Sequence, residues 1–162
     1  MRRDKAGWKI VQAPGSGYGL YAFDLADKDN GLAAGRNDGA AKGAVTLYSG
    51  GTWYTATVPD ASLDWTLTGA AVWSATSGLV VGKAYDVKTG IAVSFESGTL
   101  TLLNLPLVSA DWSLEGVAAS GDVAIACGAD REHDEGVILG LRDNQWFVDA
   151  RSPFRLFGVR AF

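Results

Sequence analysis

The four prolines of this 162-residue chain divide it at nearly regular intervals. Pro14, Pro59, Pro106 and Pro153 lie 45, 47 and 47 residues apart. Each closes a similar phrase, which reads WKIVQAP, WYTATVP, LTLLNLP and WFVDARSP in turn. Self-similarity at a fixed period of this length is typical of a chain built from repeated supersecondary units. The period therefore restricts the fold more than any other feature of the sequence.

Two further sets of phrases keep the same period. After each proline the chain reads YGLYAFD from Tyr18, WTLTGAAV from Trp65, WSLEGVAA from Trp112 and FRLFGVRA from Phe154, the first of these following Pro14. Glycine then marks the end of the next apolar segment and the start of the one after it. These glycines are Gly35, Gly82 and Gly128 at the ends, and Gly43, Gly90 and Gly136 at the starts.

Each repeat thus holds four short segments, which we label a, b, c and d in chain order. They are about 5–8 residues long and rich in Val, Ile, Leu and aromatic residues, with Gly, Asp, Asn and Ser between them, which is typical of β-strands joined by turns. Segment b, LVV or VAIAC, is apolar throughout, so we expect it to lie between two neighbouring sheets. Glycines interrupt every window that could form a helix, and almost no helix is predicted.

Four antiparallel strands repeated at this period predict an all-β fold of the β-propeller type. A solenoid coil would instead need parallel strands and a shorter period. We interpret residues 1–162 as a single propeller or partial propeller domain. Complete blades are predicted at about 18–59, 65–106 and 112–153, with a single strand at each end, at 8–14 and 154–162.

The turns between segments c and d carry a resemblance to a known family. The phrase TLYSGGTW from Thr46 resembles the Asp-box turn, S/T-x-D-x-G-x-T-W, of sialidase-type BNR repeats, with Tyr48 at the place of the Asp. In the second repeat SFESGTL has Glu96 at that place and is one residue shorter, and in the third GLRDNQW keeps only Trp146. The resemblance covers nearly the whole chain as a blade pattern and implies a propeller. The arginine triad with which sialidases hold a substrate carboxylate is not matched by the family's motif around any arginine here.

The phase of the repeat also predicts a partner. Three blades with a strand at each end leave two apolar blade faces open, and exposed apolar area costs about 25 cal/mol per Å². Propellers close with about four to eight blades. We therefore expect either a homodimer that completes a ring or the remainder of a longer propeller. A two-fold dimer has two equivalent seams, so its ring would hold six full blades rather than an odd number.

Composition and charge exclude several other partners. The net charge is −4, and no basic run occurs, so nucleic acid is not an expected partner. The start MRRDKAGWKIV lacks the apolar run of a signal peptide, and no stretch reaches membrane-spanning length, which predicts a soluble chain with no membrane partner. Cys127 is the single cysteine, which excludes an internal disulfide, and its apolar setting favours a buried thiol. No cofactor or metal motif is recognised.

The loops between segments b and c share one face of the predicted blades with the d–a links, and they are the most polar part of the repeat. We predict ligand contacts on this face, where binding residues concentrate on loops over a rigid scaffold. The candidate residues are Arg36, Asp38, Lys83, Tyr85, Asp86, Arg131, His133 and Asp134. The competing interpretation is a solvated rim without function.

No catalytic constellation is recognised, and no catalytic residue is assigned. His133, the only histidine, would need neighbouring acids to act as a general base or metal ligand. The sequence favours a non-enzymatic binding or scaffold protein, with carbohydrate or protein as candidate ligands. The alternative is a glycan-active enzyme, a sialidase-like hydrolase or a lyase, with its acid–base residues on the charged loops.

Overall fold

The structure, a computed structural model, describes residues 2–4, 7–9, 17–120 and 123–160. These residues form strands and turns, without a helix, as predicted. A short antiparallel pair comprises β1 (Arg2–Asp4) and β2 (Gly7–Lys9). The first blade comprises β3 (Tyr18–Leu25), β4 (Asn30–Asn37), β5 (Lys42–Ser49) and β6 (Thr52–Ala56). The second comprises β7 (Trp65–Ser74), β8 (Ser77–Ala84), β9 (Thr89–Glu96) and β10 (Thr99–Leu102), and the third β11 (Trp112–Ser120), β12 (Val123–Asp130), β13 (Glu135–Arg142) and β14 (Gln145–Ser152).

Each blade is a four-stranded antiparallel sheet in which consecutive strands are neighbours. The three c–d turns are two-residue hairpins with positive φ at both turn residues, which matches the right-handed twist of the flanking strands. These turns are Gly50 and Gly51, Ser97 and Gly98, and Asp143 and Asn144. In the first of them, Tyr48 packs its ring on that of its cross-strand partner Trp53, with 5.0 Å between the ring centroids. Tyr48, which stands at the acidic position of the Asp-box pattern, thus packs on the tryptophan of that pattern.

The hydrophobic core lies between the blades and not within them. At the first interface Trp65 and Leu67 of β7 are fully buried in a cluster with Leu32 of β4. At the second interface Trp112 and Leu114 of β11 are buried in the same manner against the second blade. Strand a of the second and third blades therefore packs on the preceding blade.

Strand b of the second blade has both faces covered, as its apolar sequence predicts. Val80 belongs to the cluster at the first interface, while Leu79 and Val81 belong to the cluster at the second. Alternate residues of a strand point to opposite faces. β8 is therefore in contact with both neighbouring blades.

A glycine at the start of strand c receives the first residue of the next strand a. A Cβ atom at Gly43 would lie 2.1 Å from Trp65 Cζ3, and one at Gly90 would lie 2.4 Å from Trp112 Cζ3. At the equivalent place in the third blade, a Cβ atom at Gly136 would lie 2.2 Å from the backbone oxygen of Phe154. The recurring glycines therefore mark the places where consecutive blades touch.

The segment 154–160 lies on the third blade at the position where β7 lies on the first blade and β11 lies on the second. The amide of Leu156 donates a hydrogen bond to the carbonyl of Gly128, 3.2 Å away. A Cβ atom at Gly116 would lie 2.8 Å from Gly158 Cα, much as one at Gly69 would lie 3.0 Å from Gly116 Cα. The segment is not assigned to a strand, and residues 161–162 of the predicted strand 154–162 lie outside the described residues.

At the other end of the chain, only part of the predicted strand 8–14 is described. Gly7–Lys9 pairs with Arg2–Asp4, with Trp8 opposite Arg3. Residues 10–16 lie outside the described part of the chain, so the predicted strand d of a preceding blade stays a prediction.

An apolar face of the first blade is open to solvent. Leu20 on β3 is 39% exposed and Phe23 is 72% exposed. Leu67 and Leu114, which occupy the position of Leu20 in the next two repeats, are 0% exposed because each packs on a preceding blade. The exposure of β3 therefore follows from its place in the array and not from its residue types.

The contact between glycine and tryptophan can be tested by adding one methyl group. Gly90→Ala should lower the free energy of unfolding by about 1–3 kcal/mol, because the Cβ would overlap the indole ring of Trp112 and force the blades apart. Gly39→Ala is the control, since its Cβ would meet nothing closer than 3.5 Å. Urea unfolding followed by tryptophan fluorescence measures both variants. Equal stability of the two variants would contradict the assigned contact.

Candidate ligand-binding cleft

A cleft of about 480 Å³ opens where the first and second blades meet, on the face that carries the b–c loops. It is lined by Tyr21, Arg36, Asp64, Thr66, Thr68 and Tyr85. These residues come from strand a of both blades, from the end of β4, from the link before β7 and from the b–c loop of the second blade. The cleft therefore exists only when the two blades are packed together.

Tyr21 and Thr68 reach the cleft because strand a bulges at both positions. The pairing of β3 with β4 shifts between Leu20 and Ala22, and that of β7 with β8 shifts between Leu67 and Gly69. One extra residue is inserted at each shift, which re-aims the side chain.

A glycine in strand b lies opposite each of these bulges. A Cβ atom at Gly35 or Gly82 would lie 1.8 or 1.9 Å from a strand-a carbonyl oxygen. These glycines lie inside strand b and not at its end, since β4 continues to Asn37. The expectation that they end the strand is wrong, because they are required opposite the bulge.

Arg36 forms one wall of the cleft and ties the two blades together. Its Nη1 donates to the carbonyl oxygen of Trp65 at 2.9 Å, and its Nη2 lies 2.7 Å from Asp64 Oδ1. Its Nε lies 3.4 Å from Asp38 Oδ1. The guanidinium carbon also lies 5.6 Å from the centre of the Tyr85 ring. All three guanidinium nitrogens are therefore engaged.

The second interface repeats this ion pair with different residues. Lys83 occupies the place of Arg36, and its Nζ lies 2.7 Å from Oδ1 of Asp111, which occupies the place of Asp64. The hydrogen bond from Lys83 lowers the pKa of the Asp111 carboxyl. Ala129 and Pro153 stand at these two positions in the third repeat. The ion pair thus recurs at both interfaces between complete blades.

Asp130 is the centre of a charged network in the third blade. It is fully buried, and it accepts hydrogen bonds from Arg151 Nη1 at 2.6 Å and Ser109 Oγ at 2.7 Å, while His133 Nδ1 lies 3.0 Å away. Burial by itself would raise the pKa of Asp130, but the hydrogen bonds from Arg151, Ser109 and His133 outweigh it and lower the pKa. The network joins the third b–c loop to the preceding d–a link.

The pair formed by Asp130 and His133 has the spacing of an acid that orients a general base. His133 Nε2, however, makes no hydrogen bond to any residue in the described ranges. Burial raises the pKa of the Cys127 thiol, which is the opposite of what a nucleophilic cysteine needs. The geometry accounts for His133 as a loop-fixing residue.

Two of the predicted site residues line the cleft, Arg36 and Tyr85, and a third, Asp38, pairs with Arg36 from outside the lining. Lys83 is instead engaged with Asp111. The others hold loops or strands: Asp86 accepts from Ser62 Oγ and the Leu63 amide, Arg131 donates to Ser113 and Glu115, His133 contacts Asp130, and Asp134 pairs with Arg155 at 2.7 Å. Ligand binding by any of the eight stays a prediction.

Sequence reasoning did not identify the strand-a residues of the cleft, Tyr21, Thr66 and Thr68. One signal could have found two of them. The fourth position of the strand-a phrase holds Tyr21, Thr68, Glu115 and Phe157, whereas the position before it is leucine in every repeat. A position that varies in chemistry next to a constant leucine is typical of a site that does not serve packing.

Comparison with known proteins identifies the fold but no family. No family model and no curated protein matches the chain. A solved structure described as "YCF48 bound to D1 peptide" is similar, with a TM-score of 0.65 and 18% sequence identity over 87% of this chain. The fold is that of a β-propeller. The match covers 42% of the YCF48 chain, so this chain spans less than half of that length. These comparisons do not confirm the BNR resemblance.

None of the residues that the structure describes belongs to a helix with the length and apolar character of a membrane span.

The Asp130 network predicts a specific pH dependence. The pKa of Asp130 is lower in the folded chain than the value of about 3.9 expected when unfolded. Its stabilising effect is therefore fully present above that pH and is lost as the pH falls towards the folded-state pKa. Asp130→Asn should cost about 2 kcal/mol at pH 7, since Arg151 loses its charged partner. The difference from the unaltered chain should narrow at pH 3.

Urea unfolding at pH 7 and pH 3 measures this difference. Asp149→Asn is the matched control, because Asp149 is an exposed carboxylate on the same blade, and it should change stability by less than about 0.5 kcal/mol. A destabilisation by Asp130→Asn that is as large at pH 3 as at pH 7 would show that the charge of Asp130 contributes nothing.

Proposed function

We propose that this chain is a non-enzymatic binding module whose cleft between the first two blades receives a segment of another protein. The observation that carries the proposal is the cleft itself, with two half-exposed tyrosine rings beside polar groups. Its volume of about 480 Å³ lies within the usual range of ligand pockets. Tyrosine offers a large contact area together with a hydroxyl group, and few rotatable bonds must be ordered on binding.

The similar propeller supports a protein ligand over a carbohydrate. The description of that solved structure states that YCF48 is bound to a D1 peptide. A propeller of related backbone geometry thus binds a peptide. At 18% identity the likeness concerns the fold, so the choice of a protein segment for this chain rests on the tyrosines and the adjoining polar groups of its own cleft.

The enzymatic alternative has less support from the geometry. A glycoside hydrolase ordinarily uses a pair of carboxylic acids at the scissile bond, and Asp64 is the one carboxylate among the residues that line the cleft, where neither His133 nor Asp130 lies. Asp130 is held by Arg151 and Ser109, which keep it ionised and engaged. We therefore favour binding without turnover.

Binding at the cleft can be tested with a displayed library of random peptides selected on the folded protein. Selected peptides should bind with micromolar affinity. Tyr85→Ala should weaken them about tenfold, the effect expected when a central aromatic contact of about 1.4 kcal/mol is lost. Tyr54→Ala is the control, because Tyr54 is a similarly exposed tyrosine on β6, outside the cleft.

Two outcomes would contradict this function. Selected peptides that bind Tyr85→Ala as tightly as the unaltered chain would place the site elsewhere. Reproducible turnover of glycosides that disappears in His133→Ala would establish the enzymatic alternative.

We further infer that another blade covers the open face of β3. Leu20, Phe23 and Leu25 are exposed there, whereas among the corresponding residues of β7 Leu67 is buried, and Ala70 and Val72 are partly buried, in the cluster shared with the preceding blade. The simplest occupant is a second copy, with its third blade and its segment 154–160 together at the seam, in a ring of six full blades around a two-fold axis. The alternative occupant is a further blade of a longer propeller.

Light scattering at micromolar concentration tests the second copy. The mass should be twice 17.0 kDa, and Phe23→Asp should reduce it to that of the single chain, because a carboxylate cannot be buried in an apolar interface without a partner. Leu107→Asp should leave the mass unchanged, since Leu107 is exposed in a link away from this face. A stable, soluble single chain would contradict the dimer.

A further inference from the structure

We propose that the cleft selects a cationic side chain, lysine or arginine, of the bound protein segment. This inference rests on the proposed function and specifies which residue of the ligand enters the cleft. It follows from the charges, the aromatic rings and the unused polar groups of the lining residues.

The one cation among the lining residues is already paired with two carboxylates. Arg36 uses Nη1 for the Trp65 carbonyl oxygen, Nη2 for Asp64 and Nε for Asp38. An anionic ligand at this guanidinium would lie beside both carboxylates and be repelled by them. The guanidinium of Arg36 is therefore part of the scaffold.

The carboxylates beside the cleft retain unused acceptor atoms. Asp64 contacts Arg36 through Oδ1, and its side chain is 46% exposed. Its Oδ2 has no ion pair or hydrogen bond within the described residues. Asp38 is likewise exposed and contacts Arg36 through a single oxygen. Two carboxylates face one guanidinium, which leaves an excess of negative charge at the mouth of the cleft.

The tyrosine rings favour a cation over a neutral polar group. Tyr21 is 58% exposed and Tyr85 is 49% exposed, so both offer ring surface to a ligand. A cation within about 6 Å of an aromatic ring is attracted to its face. The guanidinium of Arg36 already lies 5.6 Å from the centre of the Tyr85 ring. The cleft thus contains an example of the contact that we propose for the ligand.

Thr66 adds an acceptor that the fold does not use. It lines the cleft and is 3% exposed, and its Oγ1 has no hydrogen-bond partner within the described ranges. A buried hydroxyl without a partner carries a desolvation cost. Lysine and arginine bring several N–H donors and can satisfy such an oxygen directly or through a bridging water.

At the interface between the second and third blades, two cations are likewise paired with carboxylates. Lys83 lies 2.7 Å from Asp111, and Arg131 lies 3.2 Å from Glu115. Both cations are thus neutralised by carboxylates at their own positions. The excess of carboxylate at the first interface therefore distinguishes the cleft from these two ion pairs, in which one carboxylate meets one cation.

Nuclear magnetic resonance titration of the isotope-labelled protein tests the charge preference. The probes are N-acetyl-arginine amide, its neutral isostere N-acetyl-citrulline amide, and N-acetyl-glutamate amide. The arginine probe should shift the amide signals of Thr66, Thr68 and Tyr85 saturably and bind at least about fivefold more tightly than citrulline. Glutamate should bind more weakly still.

Two variants separate a cleft effect from the general acidity of the chain. Asp38→Asn should weaken binding of the arginine probe about threefold while the spectrum keeps its folded dispersion. Asp60→Asn is the matched control, since Asp60 is an exposed aspartate that pairs with Lys42 outside the cleft. Equal loss in both variants would reduce the effect to net charge and overturn the proposal.

The remaining outcomes distinguish this inference from the proposed function. Citrulline that binds as tightly as arginine, or the absence of saturable shifts with arginine, overturns the charge preference. Selected peptides that depend on Tyr85 but contain neither lysine nor arginine keep the proposed function and overturn this inference. A selection that yields no Tyr85-dependent peptide overturns the proposed function itself.

Discussion

The packing of one blade on the next is the interaction on which the rest of this structure depends. A single four-stranded sheet of this chain has apolar residues on both faces and buries them only when a neighbour lies on each side. The inner strand supplies the contact, since Trp65 and Trp112 press their indole rings onto Gly43 and Gly90 of the preceding blade. The core is therefore shared between repeats, and the stability of one blade is tied to the presence of its neighbours.

The same packing assembles the polar end of each interface. The last but one residue of strand b is a cation in the first two blades, and the residue before the next strand a is an aspartate. Once the blades are packed, Arg36 meets Asp64 and Lys83 meets Asp111 at the same 2.7 Å. These pairs orient the walls of the inter-blade space. The first interface becomes a cleft because Tyr21 and Tyr85 stand beside it, whereas Thr68 and Arg131 occupy the corresponding places of the second interface.

The third repeat differs from the other two in its charged residues, which stabilise the fold and do not line the cleft. Ala129 and Pro153 replace the inter-blade ion pair, and the buried Asp130 gathers Arg151, Ser109 and His133 within its own loop region. The lone histidine, which drew attention as a possible catalytic group, is thus accounted for by loop fixation. We assign ligand binding instead to the interface between the first and second blades, where tyrosine ring surface and hydrogen-bond acceptor atoms remain available to a ligand.

The spacing of prolines, tryptophans and glycines by itself predicted the all-β fold and its three four-stranded antiparallel blades, because these residues mark turns and close contacts that recur once per blade. It also placed Arg36, Asp38 and Tyr85 on one face. Only the tertiary structure decided which of the eight candidate residues meet and which are engaged elsewhere. The bulges that turn Tyr21 and Thr68 into the cleft, and the ion pairs that occupy Arg36 and Lys83, join residues of different blades. A repeat period specifies each blade separately, whereas those contacts arise from the packing of one blade on another.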